Sequence, residues 1–154
     1  MNDRESLDEI IEYLDVKILA GYREAEYVIE SYLKKWTPER KLKLHKKRPD
    51  QSYDDAQVGR LIPRVRMNTG KAYIEWTDQN SPKIKRINKK FTATVTPHVK
   101  KGYTTEILTK HCHGWEVDIV LEFETKLKPI RKAMNALHEA KIKLKSINRL
   151  YHTE

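Results

Sequence analysis

The chain has one cysteine, Cys112, in 154 residues, so no intrachain disulfide can form and a reducing compartment is its expected home. Its five glycines are scattered, which leaves no Gly-rich loop to cradle a phosphate. No GxSxG stretch and no Cys–His catalytic pairing can be read, so neither a hydrolase elbow nor a thiol enzyme is indicated. No long apolar run occurs, and no transmembrane helix is expected. The first residues, MNDRESLDEI, are acidic and polar, unlike a signal peptide. Internal repeats and low-complexity tracts are absent. The expectation is a cytoplasmic, membrane-free protein that uses no cofactor.

What is abundant is positive charge. Lys and Arg number 31 against 22 Asp and Glu, a formal net charge of +9, and such an excess attracts polyanions. The charge is uneven. Residues 1–33 carry 3 bases and 9 acids, residues 34–48 carry 8 bases and 1 acid, and residues 64–101 carry 10 bases and 2 acids. The middle and the far end are basic and the beginning is acidic, a pattern that indicates a positive face. Lysines serving only solubility are the bland alternative.

The last third organises the chain. Val120, Phe123, Leu127, Ile130, Met134, Leu137, Ala140, Leu144, Ile147 and Tyr151 recur at steps of three and four, one stripe of a helix over residues 115–151. Pro129 is expected to kink or split it. A second stripe, from Leu7 through Ile11, Leu14, Ile18, Tyr22, Ala25, Ile29 and Tyr32 to Trp36, predicts a helix over residues 1–36, ended by Thr37-Pro38. Gly21 costs that helix about 1 kcal/mol against alanine and permits close approach of another helix. The acidic first helix and the basic last one are suited to antiparallel packing, within one chain or between two copies of a homodimer. Residues 39–59 lack periodicity and read as a loop.

Residues 60–97 read as sheet. Arg64 to Met67 alternates basic and apolar, Asn68-Thr69-Gly70 supplies a turn, and Ala72 to Trp76 resumes with strand formers. Phe91 to Thr96 alternates as a third strand, with Phe91, Ala93 and Val95 expected to pack on the helices. Thr105 to Lys110 reads as a short helix. The fold class is therefore α+β: one domain over residues 1–154, with long N- and C-terminal helices packed with a small antiparallel sheet of about three strands.

His111-Cys112-His113 has the His–apolar–His form of a metal-dependent HUH nuclease, whose two imidazoles must lie on one face of a strand. Here the motif directly precedes Gly114 at a helix start, and a turn capping the final helix is the expected role. No catalytic or metal-binding residue is assigned. Glu116, Asp118, Glu122 and Glu124 invite a metal reading, but acidic residues in the first turns of a helix also complement its dipole. The candidate nucleic-acid contacts are the basic clusters: Lys43, Lys46, Lys47 and Arg48; Arg64, Arg66 and Lys71 on the hairpin; Lys83, Lys85, Arg86, Lys89 and Lys90 before the third strand; and Lys100 and Lys101. A two-stranded ribbon fits a major groove, with lysines on flanking phosphates. Tyr73 and Trp76 could stack on unpaired bases, but their odd spacing puts them on opposite faces, and at least one is expected in the core.

Ala72 to Leu137 resembles the MobI-like family of conjugative-transfer proteins. The matching features are YIEW, the Lys100-Lys101-Gly102 ending of the basic strand, and WEVDIVLEFETKLKPIRKAMNAL. Pro129 departs from the family pattern. The resemblance implies a DNA-binding accessory acting at an origin of transfer beside a relaxase, without catalysis of its own. Trp115, Glu116 and Arg131 match the motif, and a helix-anchoring role is expected for all three. A transcriptional regulator unrelated to transfer and a protein-binding helical adaptor are the alternatives.

Overall fold

The computed structural model describes residues 3–79 and 93–152. Helix α1 spans Asp3–Lys46, and strands β1 (Leu61–Asn68) and β2 (Lys71–Asp78) form a hairpin. The short strand β3 (Ala93–Thr94), helix α2 (Thr105–His111), a 3-10 turn (Gly114–Glu116) and helix α3 (Val117–His152) follow. The sheet is antiparallel in the order β1-β2-β3. This is the α+β arrangement expected.

The two stripes meet within the chain. Lys35 of α1 faces Glu122 of α3, Asp15 faces Lys141 and Asp8 faces Asn148, so the helices run antiparallel. An added Cβ at Gly21 would lie 2.9 Å from Met134 Cγ and Sδ; the missing side chain is what lets α3 approach there. Ile18, Ala25, Tyr32 and Trp36 of α1 are buried with Val120, Phe123, Leu127 and Met134 of α3. The stripe of α3 does not stay buried to its end, because Ile147 and Tyr151 are exposed.

The sheet lies on this helix pair. Period-two alternation turns Leu61 and Pro63 of β1, and Ala72, Ile74 and Trp76 of β2, toward the helices. Tyr32 sits at the centre, edge-on to Trp76 at 5.4 Å and to Phe123 at 5.5 Å between centroids. Its hydroxyl donates to the Leu61 carbonyl at 2.6 Å. Burial, reinforced by the Glu116 carboxylate, pushes the phenol far up, so it remains a donor. The hairpin turn places Thr69 at φ 49° and Gly70 at φ 78°, the left-handed pair of a two-residue type I′ turn.

Four expectations need correction. α1 does not stop at Trp36 but continues through Pro38 to Lys46, so residues 39–46 are helix rather than loop. The carbonyl of Lys34, freed by the missing proline N–H, belongs to an exposed residue and can meet water. Contacts beyond the proline hold the next turn: Arg40 donates to the Gly59 carbonyl at 3.2 Å and lies 5.2 Å over the Trp36 ring. Pro129 does not split the last helix, which is one element from Val117 to His152; Leu127 and Ile130 on either side are buried in the core and pin both halves. β1 begins at Leu61, earlier than the alternation from Arg64 suggested. β3 covers only Ala93–Thr94; Phe91 and Thr92 lie outside the described residues, and the chain leaves the ladder after Val95 N–H donates to the Trp76 carbonyl at 2.9 Å.

Candidate nucleic-acid interface

Two buried carboxylates at the start of α3 fix the hairpin. Glu116 is fully buried and accepts from Trp36 Nε1 at 2.7 Å, Arg60 N at 2.8 Å, Leu61 N at 3.1 Å and His113 N at 2.7 Å. One side chain thereby joins α1, the entry to β1 and the N-terminus of the last helix. Glu124 accepts from Trp76 Nε1 at 3.0 Å and holds Arg131 through two bonds of 2.9 Å. Arg131 Nε also donates to the Ile74 carbonyl at 2.9 Å, which ties β2 to α3. Trp115 donates to the Gln57 carbonyl at 2.6 Å and packs against Trp36. The anchoring role expected for Trp115, Glu116 and Arg131 is what their contacts show. Reading Glu116 and Glu124 as helix-dipole partners missed these networks; a sequence signal was available in Trp36 and Trp76, two aromatic N–H donors that need acceptors once buried.

The opposite face of the hairpin carries Arg64, Arg66, Lys71, Tyr73 and Glu75. Register sets Arg66 opposite Tyr73 and Arg64 opposite Glu75. The Arg66 guanidinium lies 4.4 Å from the Tyr73 ring centre, and the Lys71 ammonium lies 5.0 Å from it. Arg64 and Arg66 both pair with Glu75, so part of their charge is already answered and they are less free to read base edges than the sequence suggests. Tyr73 is half-buried on this face, whereas Trp76 is fully buried beneath it; Trp76 is core, as the odd spacing requires.

Beside β2, the segment 97–103 makes a tight turn. His98 and Gly102 exchange backbone bonds of 2.8 and 2.9 Å, and His98 Nδ1 accepts from Lys100 N at 3.1 Å and Lys101 N at 3.0 Å. Gly102 sits at φ 71°, a conformation glycine adopts without strain. The turn presents Lys100 and Lys101 to solvent and leaves Val99 99% exposed. Nearby on α3, burial first, then Lys71, Lys141 and Lys145, lower the pKa of His138; the ammonium groups there make a positive local field.

The remaining basic cluster is elsewhere. Lys43 and Lys46 lie in the last turn of α1, with Lys47 and Arg48 just beyond. The hairpin turn sits beside Lys141, which pairs with Asp15. Asp15 and Lys46 are 31 residues apart on α1, about 46 Å along the axis at ~1.5 Å per residue. The structure therefore gathers Arg64, Arg66, Lys71, Lys100 and Lys101 and sets Lys43, Lys46, Lys47 and Arg48 far from the hairpin turn. Lys83, Lys85, Arg86, Lys89 and Lys90 lie outside the described residues.

His111 and His113 take different partners. His111 Nδ1 is 3.0 Å from the Asp78 carboxylate, which also holds Arg60. His113 Nδ1 accepts from Gly59 N at 2.8 Å, which leaves the ring proton on Nε2, 2.9 Å from Asp54. Gly59, at φ 102°, is closed in by Trp115 and Trp36. His113 is the residue that precedes the 3-10 turn into α3, in keeping with the capping role. Among the described residues, no group of three or more His, Cys, Asp and Glu stands ready to share a metal ion. Burial, and then Glu116, pushes the Cys112 thiol up to about 11. No helix among the described residues is long and apolar enough to cross a membrane.

The family model described as MobI protein matches residues 22–145. No curated protein and no solved structure matches the chain.

Proposed function

The chain belongs to the MobI family, and from that premise we propose that it is a cytoplasmic, non-catalytic DNA-binding accessory of conjugative transfer, acting at an origin of transfer beside a relaxase. The observation that carries the reading is the outward face of the hairpin, where Arg66 and Lys71 flank Tyr73 beside Arg64, together with the neighbouring turn that carries Lys100 and Lys101. The mechanism is neutralisation of backbone phosphates by these side chains. The basic run Lys83, Lys85, Arg86, Lys89 and Lys90 holds five bases and no acid between residues 83 and 90 and is a further sequence source of positive charge. Behind the face, Glu116, Glu124 and Arg131 hold the hairpin rigid, so its cations meet DNA already positioned.

The test is a mobility shift with the element's own origin duplex and a scrambled duplex of equal length. The reading expects tighter binding to the origin, weakened by salt. A supercoiled origin plasmid incubated with the protein and divalent metal is expected to stay closed unless relaxase is added; nicking by the protein alone would contradict the non-catalytic role.

A second reading, a protein-binding adaptor, draws on the far ends of the two long helices. There Ile10, Tyr13 and Val16 of α1 and Ile147, Leu150 and Tyr151 of α3 are exposed, an apolar surface suited to a relaxase, another transfer protein or a second copy.

A further inference from the structure

Two clefts flank the 97–103 turn and differ in chemistry. One, of about 290 Å³, lies between the turn, β2 and α3 and is walled by Lys71, Tyr73, Val99, Tyr103 and Asn135. The other, of about 220 Å³, is walled by Lys100 and Lys101 of the turn and Lys128 and Lys132 of α3. Val99, Tyr103, Arg131 and Asn135 border both, so the clefts share one ridge.

The acids in these walls are already engaged. Glu75 in the first pairs with Arg64 and Arg66, and Glu124 in the second is held by Arg131. Lys100, Lys101, Lys128 and Lys132 are exposed and figure in no ion pair among the described residues. The second cleft is thus four ammonium groups facing solvent. The first offers an aromatic ring under a guanidinium, an exposed valine and one side-chain amide with both donor and acceptor. Lys128, Lys132 and Asn135 follow one another at steps of four and three, one face of α3.

We propose that this ridge seats a single strand of DNA, with an unstacked base in the Tyr73–Val99–Asn135 cleft and its flanking phosphates on Lys100, Lys101, Lys128 and Lys132. This rests on the DNA-binding reading and adds strandedness to it. A cleft of this size takes a nucleotide but not a duplex, whose bases are stacked and paired. Arginine planes and aromatic rings are the surfaces on which unpaired bases stack. The turn closed between His98 and Gly102 holds Val99 in place before binding, so little is lost in ordering it.

The experiment is fluorescence anisotropy with a short labelled oligothymidylate, an abasic strand of the same length, and a duplex of the same length, each over a salt series. Wild-type protein is expected to prefer the oligothymidylate to the abasic strand. Lys128→Ala with Lys132→Ala should make the slope of log affinity against log salt shallower by about 1.4, at ~0.7 per single-strand phosphate. Tyr73→Leu should weaken oligothymidylate binding about tenfold or more, leave the salt slope unchanged and bring the strand level with the abasic one. Thermal melting of each variant separates loss of fold from loss of contact. Binding to duplex that survives these substitutions, or that exceeds single-strand binding, overturns the single-strand seat and leaves the DNA-binding reading standing. Absence of binding to every probe overturns both.

Discussion

Glu116→Gln isolates the buried carboxylate that joins the three long-range parts of the fold. The substitution keeps the shape and exchanges one oxygen for an NH₂ group. If that group replaces Oε2, it confronts the Trp36 indole N–H and the Leu61 N–H, both of which lose their acceptor. If it replaces Oε1, it confronts the His113 N–H, while Arg60 N keeps the other oxygen at 2.9 Å. The second orientation is cheaper and orphans one buried donor, which costs about 1–3 kcal/mol. The surviving bonds also lose their charge assistance, roughly half their strength. Removing a charge from the interior offsets part of this. The expected net loss is about 3 kcal/mol, a large share of a stability of about 5–15 kcal/mol, and it lowers Tm by roughly 6–12 °C for a chain of this size. Glu116→Ala orphans all four donors and should not yield folded protein at 37 °C. Thermal and urea unfolding followed by far-ultraviolet circular dichroism measure both. A glutamine variant that melts within about 2 °C of the wild type would refute the idea that this carboxylate is a structural hub.

Arg131→Lys removes the planar fork that grips Glu124 and the bond to Ile74, and lysine cannot replace both; the urea midpoint should fall with a loss of about 2–4 kcal/mol, and an unchanged midpoint would contradict it. Thr69 is a β-branched residue at φ 49° in the hairpin turn, so Thr69→Asn should raise stability by about 1 kcal/mol, seen as a higher Tm. The Cys112 thiol, pushed up to about 11, holds little thiolate at pH 8, and iodoacetamide should modify it about a hundredfold more slowly in native protein than in urea; equal rates would show that burial does not govern it.

The helices were legible because their stripes run long at one period; opposite charge suited them to antiparallel packing, but that they pair within one chain is visible only in contacts such as Lys35–Glu122 and Asp15–Lys141. Their ends were less legible. Pro38 and Pro129 look like breaks locally, and only contacts from distant residues, Gly59 with Arg40 and the core around Leu127 and Ile130, carry the helices past them. The hairpin was readable from Thr69-Gly70 and from alternation, but β1 starts with Leu61 under Tyr32, a tertiary contact. The candidate interface was half legible. Clusters of bases stand out in a sequence, yet pairing with Glu75 across the strands follows from register, and the ~46 Å that separates the end of α1 from the level of the hairpin turn follows from helix length. Lys128 and Lys132 were hidden because a helix whose apolar stripe explains its fold gives no sign of what its outer face meets.

The proposal stands or falls on phosphate contacts made by the hairpin face and its adjoining turn. The most direct measurement is the affinity of wild-type protein and of a Lys71→Ala, Lys100→Ala, Lys101→Ala variant for the origin duplex across a salt series. The variant is expected to bind more weakly, with a slope of log affinity against log salt shallower by about 2.7, at ~0.9 per duplex phosphate for three lost contacts. Equal affinity and equal slope in a variant that melts like the wild type would contradict it.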